Sequence, residues 1–200
     1  MSAEPEDLVV LLDDRGEPIG TADRNAVHGP DTPLHLAFSC YLLDAGGRVL
    51  MTRRALAKRT WPGVWTNACC GHPRPGEDLA DAVARRLVQE LGATAIGIRV
   101  VLPDFRYEAV DASGIRENEI CPVFVASLEG SLRPDPTEVM EHRWADPNDL
   151  ADVAARTPWL LSPWSAAQIG QLDMPRLGTV LTASPGGGVP LAAAVGAPLG

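Results

Sequence analysis

The chain lacks most of what would place it in a specialised class. Cysteine occurs only at Cys40, Cys69, Cys70 and Cys121 and never as C-x-x-C, which leaves no zinc ribbon and no thioredoxin-type redox pair. The vicinal Cys69–Cys70 pair is poorly placed for a structural disulfide. No run reaches the ~20 apolar residues that span a bilayer. The start, MSAEPEDL, is acidic and has no apolar stretch, so no signal peptide is expected. A reducing, cytoplasmic compartment fits these absences. Basic residues are scarce: 17 Lys and Arg stand against 26 Asp and Glu, a net charge of −9. Such a chain lacks the electrostatic footprint of a nucleic-acid binder, and its charge argues against an anionic membrane surface as partner. An anionic ligand would need metals and a local basic cluster to override the global field. There is no internal repeat, and nothing sets an oligomeric state beyond a monomer by default.

What is present is an ordinary globular composition, 46% hydrophobic and 22% charged, long enough for one domain with a substantial core. Leu8–Asp13 and Pro18–Arg24, joined by the turn Asp14-Arg15-Gly16-Glu17, predict a hairpin. His35–Asp44 predicts a strand with Ala37, Ser39 and Tyr41 on one face and Leu36, Phe38, Cys40 and Leu42 on the other. Arg48–Arg54 returns as a strand, and Ala55–Trp65 is a basic, aromatic segment with a turn at Pro62-Gly63. Leu79, Val83, Leu87 and Leu91 repeat every fourth residue and predict a helix from the N-cap Asp78 to Gly92. Further strands are expected at Ile98–Leu102, Phe105–Val110, Glu119–Leu128 and His142–Ala145, and helices at Pro147–Arg156 and Ser162–Leu172. The expected class is α/β or α+β: a mixed sheet sandwiched between helices, with a short N-terminal hairpin added. One domain is expected over residues 7–182. Residues 1–6 and the Gly/Pro/Ala-rich 183–200 are expected to be disordered.

The densest chemistry lies between Thr66 and Gly92. Gly71, Glu77, Arg85, Glu90 and Gly92 are spaced G-x5-E-x7-R-x4-E-x-G. Arg86 and Glu90, one turn apart, put a cation and a carboxylate on one helix face. Strand alternation sends Cys69 and Cys70 to opposite faces. One then serves as a small core hydrophobe, while the other can face a site where nearby cations or a metal lower a thiol pKa. His28, His35 and His72 lie near these features, and each alone reads first as an ordinary hydrogen-bonding histidine. Glu117 and Glu119, two apart on a strand, share a face, where carboxylates repel unless a cation separates them. An exposed acidic strand end is the alternative. Three imidazoles and two carboxylates form a mixed N/O set that Mn²⁺, Zn²⁺ or Mg²⁺ can occupy.

The segments HLAFS at His35, RRALAKRTWPGVWTN at Arg53, CCGHP at Cys69, PDFRYEA at Pro103, ENEICPVF at Glu117 and TPWLLSPW at Thr157 occur in this order. Together with the spaced set, which is most of a Nudix box, they resemble the type I isopentenyl-diphosphate isomerases over about Leu8 to Leu172. These are Nudix-fold enzymes of isoprenoid synthesis. Two acidic positions of the hydrolytic box are Arg86 and Gln89 here, so the resemblance implies the scaffold without the hydrolytic metal cluster.

It implies conversion of isopentenyl to dimethylallyl diphosphate by protonating the alkene and removing a proton from C2, through a tertiary cation at C3. Such a reaction needs an acid and a base on opposite sides of the allylic unit, in a site closed to water. By the resemblance Cys70 and Glu119 are that pair, exchanging roles with direction, and Tyr107 aids proton delivery. The same resemblance gives His28, His35, His72, Glu117 and Glu119 as ligands of a divalent metal (Mn²⁺, Zn²⁺ or Mg²⁺). Glu90 then holds Mg²⁺ on the diphosphate, and Arg54, Lys58 and Arg86 contact phosphate. Trp164 offers its π face to the carbocation, a contact worth ~2 kcal/mol when desolvated. Arg24 stands where family members often carry Lys, and Arg meets phosphate with different geometry. Without the resemblance these charges read equally well as solvated surface residues, and Trp164 as packing.

Two rivals stand beside this reading. A Nudix pyrophosphohydrolase shares the fold but leaves His28, His35 and Glu117-Asn118-Glu119 without a role. A non-catalytic, metal-stabilised binding module explains the His/Glu set but not Cys70, Tyr107 and Trp164 together.

Overall fold

Two extended runs that read as single strands in the sequence, 35–44 and 119–128, are each divided between two sheets in the computed structural model, which describes residues 8–182. The first becomes β3 (His35–Leu36) and β4 (Phe38–Leu43); the second becomes β10 (Arg116–Ile120) and β11 (Val123–Glu129). Pro122 lies at the second break, where its missing N–H cannot continue a ladder. The predicted hairpin is formed by β1 (Leu8–Leu12) and β2 (Pro18–Asp23). With β9 (Arg106–Val110) these strands make a five-stranded sheet ordered β2-β1-β3-β10-β9. The second sheet runs β12 (Val139–Ala145), β5 (Val49–Arg54), β4, β11 and β8 (Thr94–Leu102). Two short strands absent from the sequence reading, β6 (Trp65–Thr66) and β7 (Cys69–Gly71), pair with β5 and β4. Both sheets are mixed, because β3 runs parallel to β10 and β4 parallel to β11. The expectations for residues 1–6 and 183–200 lie outside the described residues.

Helices cover both faces of the second sheet. On one, α1 (Leu79–Leu91) seats Val83, Leu87 and Leu91 against Phe38, Cys40 and Leu42. On the other, α2 (Pro147–Arg156), α3 (Pro163–Ile169) and α4 (Leu177–Thr182) bring Leu150, Ile169 and Leu177 onto Tyr41, Leu43 and Val49. The predicted alternation of the 35–44 run therefore holds, with its two faces in two different cores. Every residue of β4 is buried, which is why the strand reads as an unbroken apolar run. Each such Leu or Val contributes about 1.5–3 kcal/mol relative to exposure. Among the described residues, no helix is long and apolar enough to cross a membrane.

The spaced Gly, Glu and Arg residues build the loop and helix that flank the site. Asp78 caps α1 by accepting from Ala80 N–H at 2.8 Å, and Gly92 ends it with φ 54°. A Cβ on Gly92 would lie 2.9 Å from the Arg133 carbonyl oxygen, and one on Gly71 would lie 3.0 Å from Arg86 Cγ. Glu77 receives Arg85 Nε and Nη2, each at 2.7 Å, and the Arg74 N–H at 2.8 Å. The Arg85 bonds hold the Glu77 carboxyl below its ordinary value of 4.5. A depressed carboxyl pKa contributes stability that is fully present above the unfolded value and lost as pH falls through the folded one. Glu77→Gln should therefore cost about 1–3 kcal/mol near neutrality. In urea melts, the gap between variant and parent should close as pH drops below 4.5.

Candidate active site

A cavity of about 350 Å³ is lined by residues of both sheets. At its floor β3 and β10 place His35 directly opposite Glu119 in their parallel register. His72 enters from the end of β7, and His28 from the loop after β2. One donor atom from each of His28, His35, His72 and Glu119 lies within 4.8 Å of the others. His35 Nε2 is 3.2 Å from His72 Nε2, and the two rings stand 3.4 and 3.2 Å from Glu119 Oε1. His35 Nδ1 donates to the Pro33 carbonyl at 2.9 Å, so in the neutral ring the lone pair lies at Nε2, and in the protonated ring Nε2–H points to Glu119. His28 Nε2 and Glu117 Oε2 are 2.9 Å apart, yet both are buried without a hydrogen-bond partner. Glu117 stands beside the four-atom group and reaches it through His28. Converging lone pairs and orphaned buried atoms of this kind are what a divalent cation satisfies, with the Pro33 carbonyl orienting one ring from behind. The donor set fits such an ion. Glu117 and Glu119 are each 6% exposed, so they are not a solvated acidic strand end.

The site splits protonation states. Burial lowers the His72 imidazole. Burial also lowers His35, but the Glu119 carboxylate outweighs it and raises that ring. In Glu119 burial pushes upward, and the hydrogen bonds from His35 and His72 overcome it, holding the carboxyl well below the usual range. Cys69 sits in the core beneath α1 and Cys70 lines the cavity, as alternation requires. Burial pushes Cys70 up to about 11, outweighing its hydrogen bonds to Ser39 and Asn67 and the pull of Arg54. Tyr107 lies across the β9–β10 ladder from Glu119; burial, then the Glu119 and Glu117 carboxylates, hold its phenol well above 10. One ionised carboxylate thus shares a cavity with a protonated thiol and phenol, a pair of environments suited to acid–base work.

The rim is basic. Arg24, Arg54, Lys58 and Arg86 all line the cavity, supplying the local cluster that an acidic protein needs for an anion. The Arg54 guanidinium stands 5.5 Å over the Trp164 ring and donates to the Thr60 carbonyl at 2.8 and 3.0 Å. Trp61 meets Trp164 edge-on with centroids 5.3 Å apart. Trp61 holds φ 44°, a conformation that persists in a non-glycine residue only when its surroundings enforce it. Glu90 is 7% exposed, bonded to Arg86, and faces an adjoining recess rather than the cavity itself. Sequence reasoning missed Glu138, which lines the cavity, pairs with Lys58 and lies 3.7 Å from Arg86. It also missed the buried Ser39, Asn67 and Gln168 behind Cys70. Only Asn67 and Ser39 fell inside quoted segments, and no spacing pattern marks any of the four.

Residues 33–165 match the NUDIX domain family, and fold and site together define a NUDIX domain. A solved structure from Deinococcus radiodurans superposes with TM-score 0.62 at 17% identity, covering 82% of this chain and 98% of that one. A MutT protein from Methanosarcina mazei gives 0.57 at 19%, covering 70% and 92%. At these identities they speak to the fold alone. Relatives named isopentenyl-diphosphate Delta-isomerase are far more similar. The Frankia alni protein is 59% identical over 168 residues, 84% of this chain and 87% of its own. That of Mycolicibacterium vanbaalenii is 56% identical over 172 residues, 86% and 94%. The chain belongs to the isopentenyl-diphosphate Delta-isomerase family of the NUDIX class.

Metal addition checks the cage directly. Mn²⁺ or Zn²⁺ at a hundredfold excess over its Kd should add about 2.7 kcal/mol, raising Tm by roughly 5–10 °C in scanning fluorimetry. His72→Ala should abolish the shift. An unshifted parent protein would remove the metal reading.

Proposed function

We propose that this chain converts isopentenyl diphosphate to dimethylallyl diphosphate in the cavity between Cys70 and Glu119. The observation that carries the reading is the juxtaposition of the Glu119 carboxylate and the Cys70 thiol in one cavity, walled by Tyr107 and Trp164 and rimmed by basic side chains. Arg54, Lys58 and Arg86, with Arg24 at the edge, bind the diphosphate through charge-assisted hydrogen bonds. That anchoring directs the hydrocarbon end inward. There one of Cys70 and Glu119 gives a proton to the terminal alkene carbon, whose π electrons form the new C–H bond and leave a tertiary cation at C3. The other takes a proton from C2, and the released C–H electrons close the new double bond. In the reverse direction the two exchange roles. Tyr107, protonated and across the ladder from Glu119, feeds the proton on that side. Trp164 faces the cation with its π surface, a contribution of ~2 kcal/mol in a desolvated site.

His28, His35, His72, Glu117 and Glu119 would hold a divalent ion (Mn²⁺, Zn²⁺ or Mg²⁺) that tunes the acidity of Glu119, and Glu90, in the recess that shares Arg54, Lys58 and Cys70 with the cavity, would hold Mg²⁺ accompanying the diphosphate once Arg86 turns to the phosphate. Arg86 and Gln89 occupy box positions where the hydrolytic form has carboxylates. The helix therefore offers no carboxylate there to activate water against the diphosphate, and the substrate is spared hydrolysis.

Proton NMR of isopentenyl diphosphate in D₂O with the protein, Mg²⁺ and Mn²⁺ should show dimethylallyl signals with deuterium entering the methyl group, and EDTA should stop it. Phosphate release without allylic product would restore a hydrolase. Cys70→Ala and Glu119→Gln should each lower kcat by about 10²–10⁴-fold, the usual worth of a general acid or base. A simple binding module would be indifferent to Cys70→Ala. Arg86→Ala should instead raise KM by about 10–100-fold, matching the loss of a charged hydrogen bond.

A further inference from the structure

Behind the cavity wall, one amide joins the two groups that face the reacting carbons. Asn67 lies between β6 and β7 and is 0% exposed. Its Nδ2 donates to the Cys40 carbonyl at 3.1 Å and the Cys69 carbonyl at 2.8 Å. Its Oδ1 faces Cys70 Sγ at 3.3 Å, the Trp164 indole Nε1–H at 3.1 Å and the Thr66 hydroxyl at 2.9 Å. This orientation is forced. Carbonyl oxygens only accept and an indole N–H only donates, so a flipped amide would set acceptor against acceptor and donor against donor. The backbone is pinned as well, because the Thr52 hydroxyl donates to the Asn67 carbonyl at 2.8 Å.

A second arm closes on the thiol from the other side. Ser39 Oγ stands 3.3 Å from Cys70 Sγ and accepts from Gln168 Nε2 at 2.9 Å, while Gln168 Oε1 accepts from the Tyr41 hydroxyl at 3.1 Å. Ser39, Gln168 and Tyr41 are all fully buried. The sulfur is thus held between two fixed side chains, and the Asn67 arm extends to the indole.

We propose that Asn67 is a positioning residue that couples Cys70 to Trp164: its single side-chain oxygen sets the thiol and the cation-facing indole at a fixed separation. Cys70 and Trp164 reach the cavity from different elements, and Asn67 is the side chain that bonds to both. Cys70 is on a three-residue strand and Trp164 on a seven-residue helix, and the two elements are far apart in sequence. Well-placed reacting groups matter steeply, since misplacement by about 1 Å can cost about 10²-fold in rate. The inference rests on the roles given above to Cys70 and Trp164.

The test uses the full chain with Mg²⁺ and Mn²⁺ and initial rates on isopentenyl diphosphate. Four proteins are compared: the parent, Asn67→Ala, a protein carrying at position 164 a tryptophan analogue with sulfur in place of the indole N–H, and the combination. The analogue keeps the π face and removes only the donor to Oδ1. Loss of the bond should lower kcat by about 10–100-fold in the analogue protein, with KM within about threefold because the diphosphate anchors are untouched. In the combination, kcat should be no lower than in Asn67→Ala alone, since both changes remove the same link. Losses that multiply, or a kcat unaffected by the analogue, overturn the inference. So does a rise in KM matching the fall in kcat, the mark of a merely structural role. If Asn67→Ala does not fold, the analogue protein decides alone: lowered kcat at unchanged KM and Tm supports the coupling, and unchanged kcat overturns it. A parent protein that forms no allylic product overturns the functional reading itself, an outcome distinct from a failed coupling in an active enzyme.

Discussion

The parallel pairing of residues 35–43 with 119–127 is the constraint on which the rest of the site depends. A single register runs through both sheets, setting His35 against Glu119 in one and Ser39 against Val123 in the other. Ala37 N–H to the Ile120 carbonyl at 2.9 Å and Ser39 N–H to the Pro122 carbonyl at 3.1 Å carry it across the breaks. Side chains alternate with period two, so a slip of one residue would turn Glu119 out of the cavity and bring a neighbour in. Parallel neighbours also need a long crossover. Here that crossover contains β5 to β9 and α1, the segments that bring Arg54, Lys58, Cys70, His72, Arg86 and Tyr107 over the same spot. The antiparallel pairing of β7 with β4 then sets Cys70 opposite Ser39, so the short run from His35 to Ser39 has the His/Glu cluster at one end and the thiol at the other.

Around this frame the molecule gathers charge against its own net sign. Buried ions are tolerated when paired, and three charged groups of the site have close partners: Glu119 with two imidazoles, Arg86 with Glu90, and Lys58 with Glu138. Glu138 lies against both Lys58 and Arg86. It can hold these cations in place before an anionic ligand competes for them, at the cost of an exchange of partners on binding. The Glu119 carboxyl is held well below the usual range because its hydrogen bonds with His35 and His72 outweigh burial, whereas burial pushes the Cys70 thiol up because its own hydrogen bonds do not outweigh it.

Much of this was legible in order along the chain. The helix from Asp78 to Gly92 was readable because its cap, its four-residue apolar repeat and its terminal glycine are all local signals. The opposite facing of Cys69 and Cys70, and the shared face of Glu117 and Glu119, followed from strand alternation alone. What was not legible has a common cause. The division of two runs between sheets depends on which strands lie alongside, and a two- or three-residue strand such as β6 or β7 carries too few residues for a period to show. Glu138, Asn67 and Gln168 have no motif because their partners are up to 129 residues away in the chain.

The sequence by itself determined the elements, their buried faces, and through resemblance to an enzyme family an inventory of chemical groups for one reaction. Those properties are set by neighbours a few residues apart, where periodicity and capping act. Only the tertiary structure decided how these groups stand to one another: that four donors converge within 4.8 Å, that Glu90 turns to Arg86 rather than to the cavity, and that one buried amide touches both thiol and indole. Distances and hydrogen-bond partners arise from packing between segments remote in sequence, which periodicity and capping do not reach.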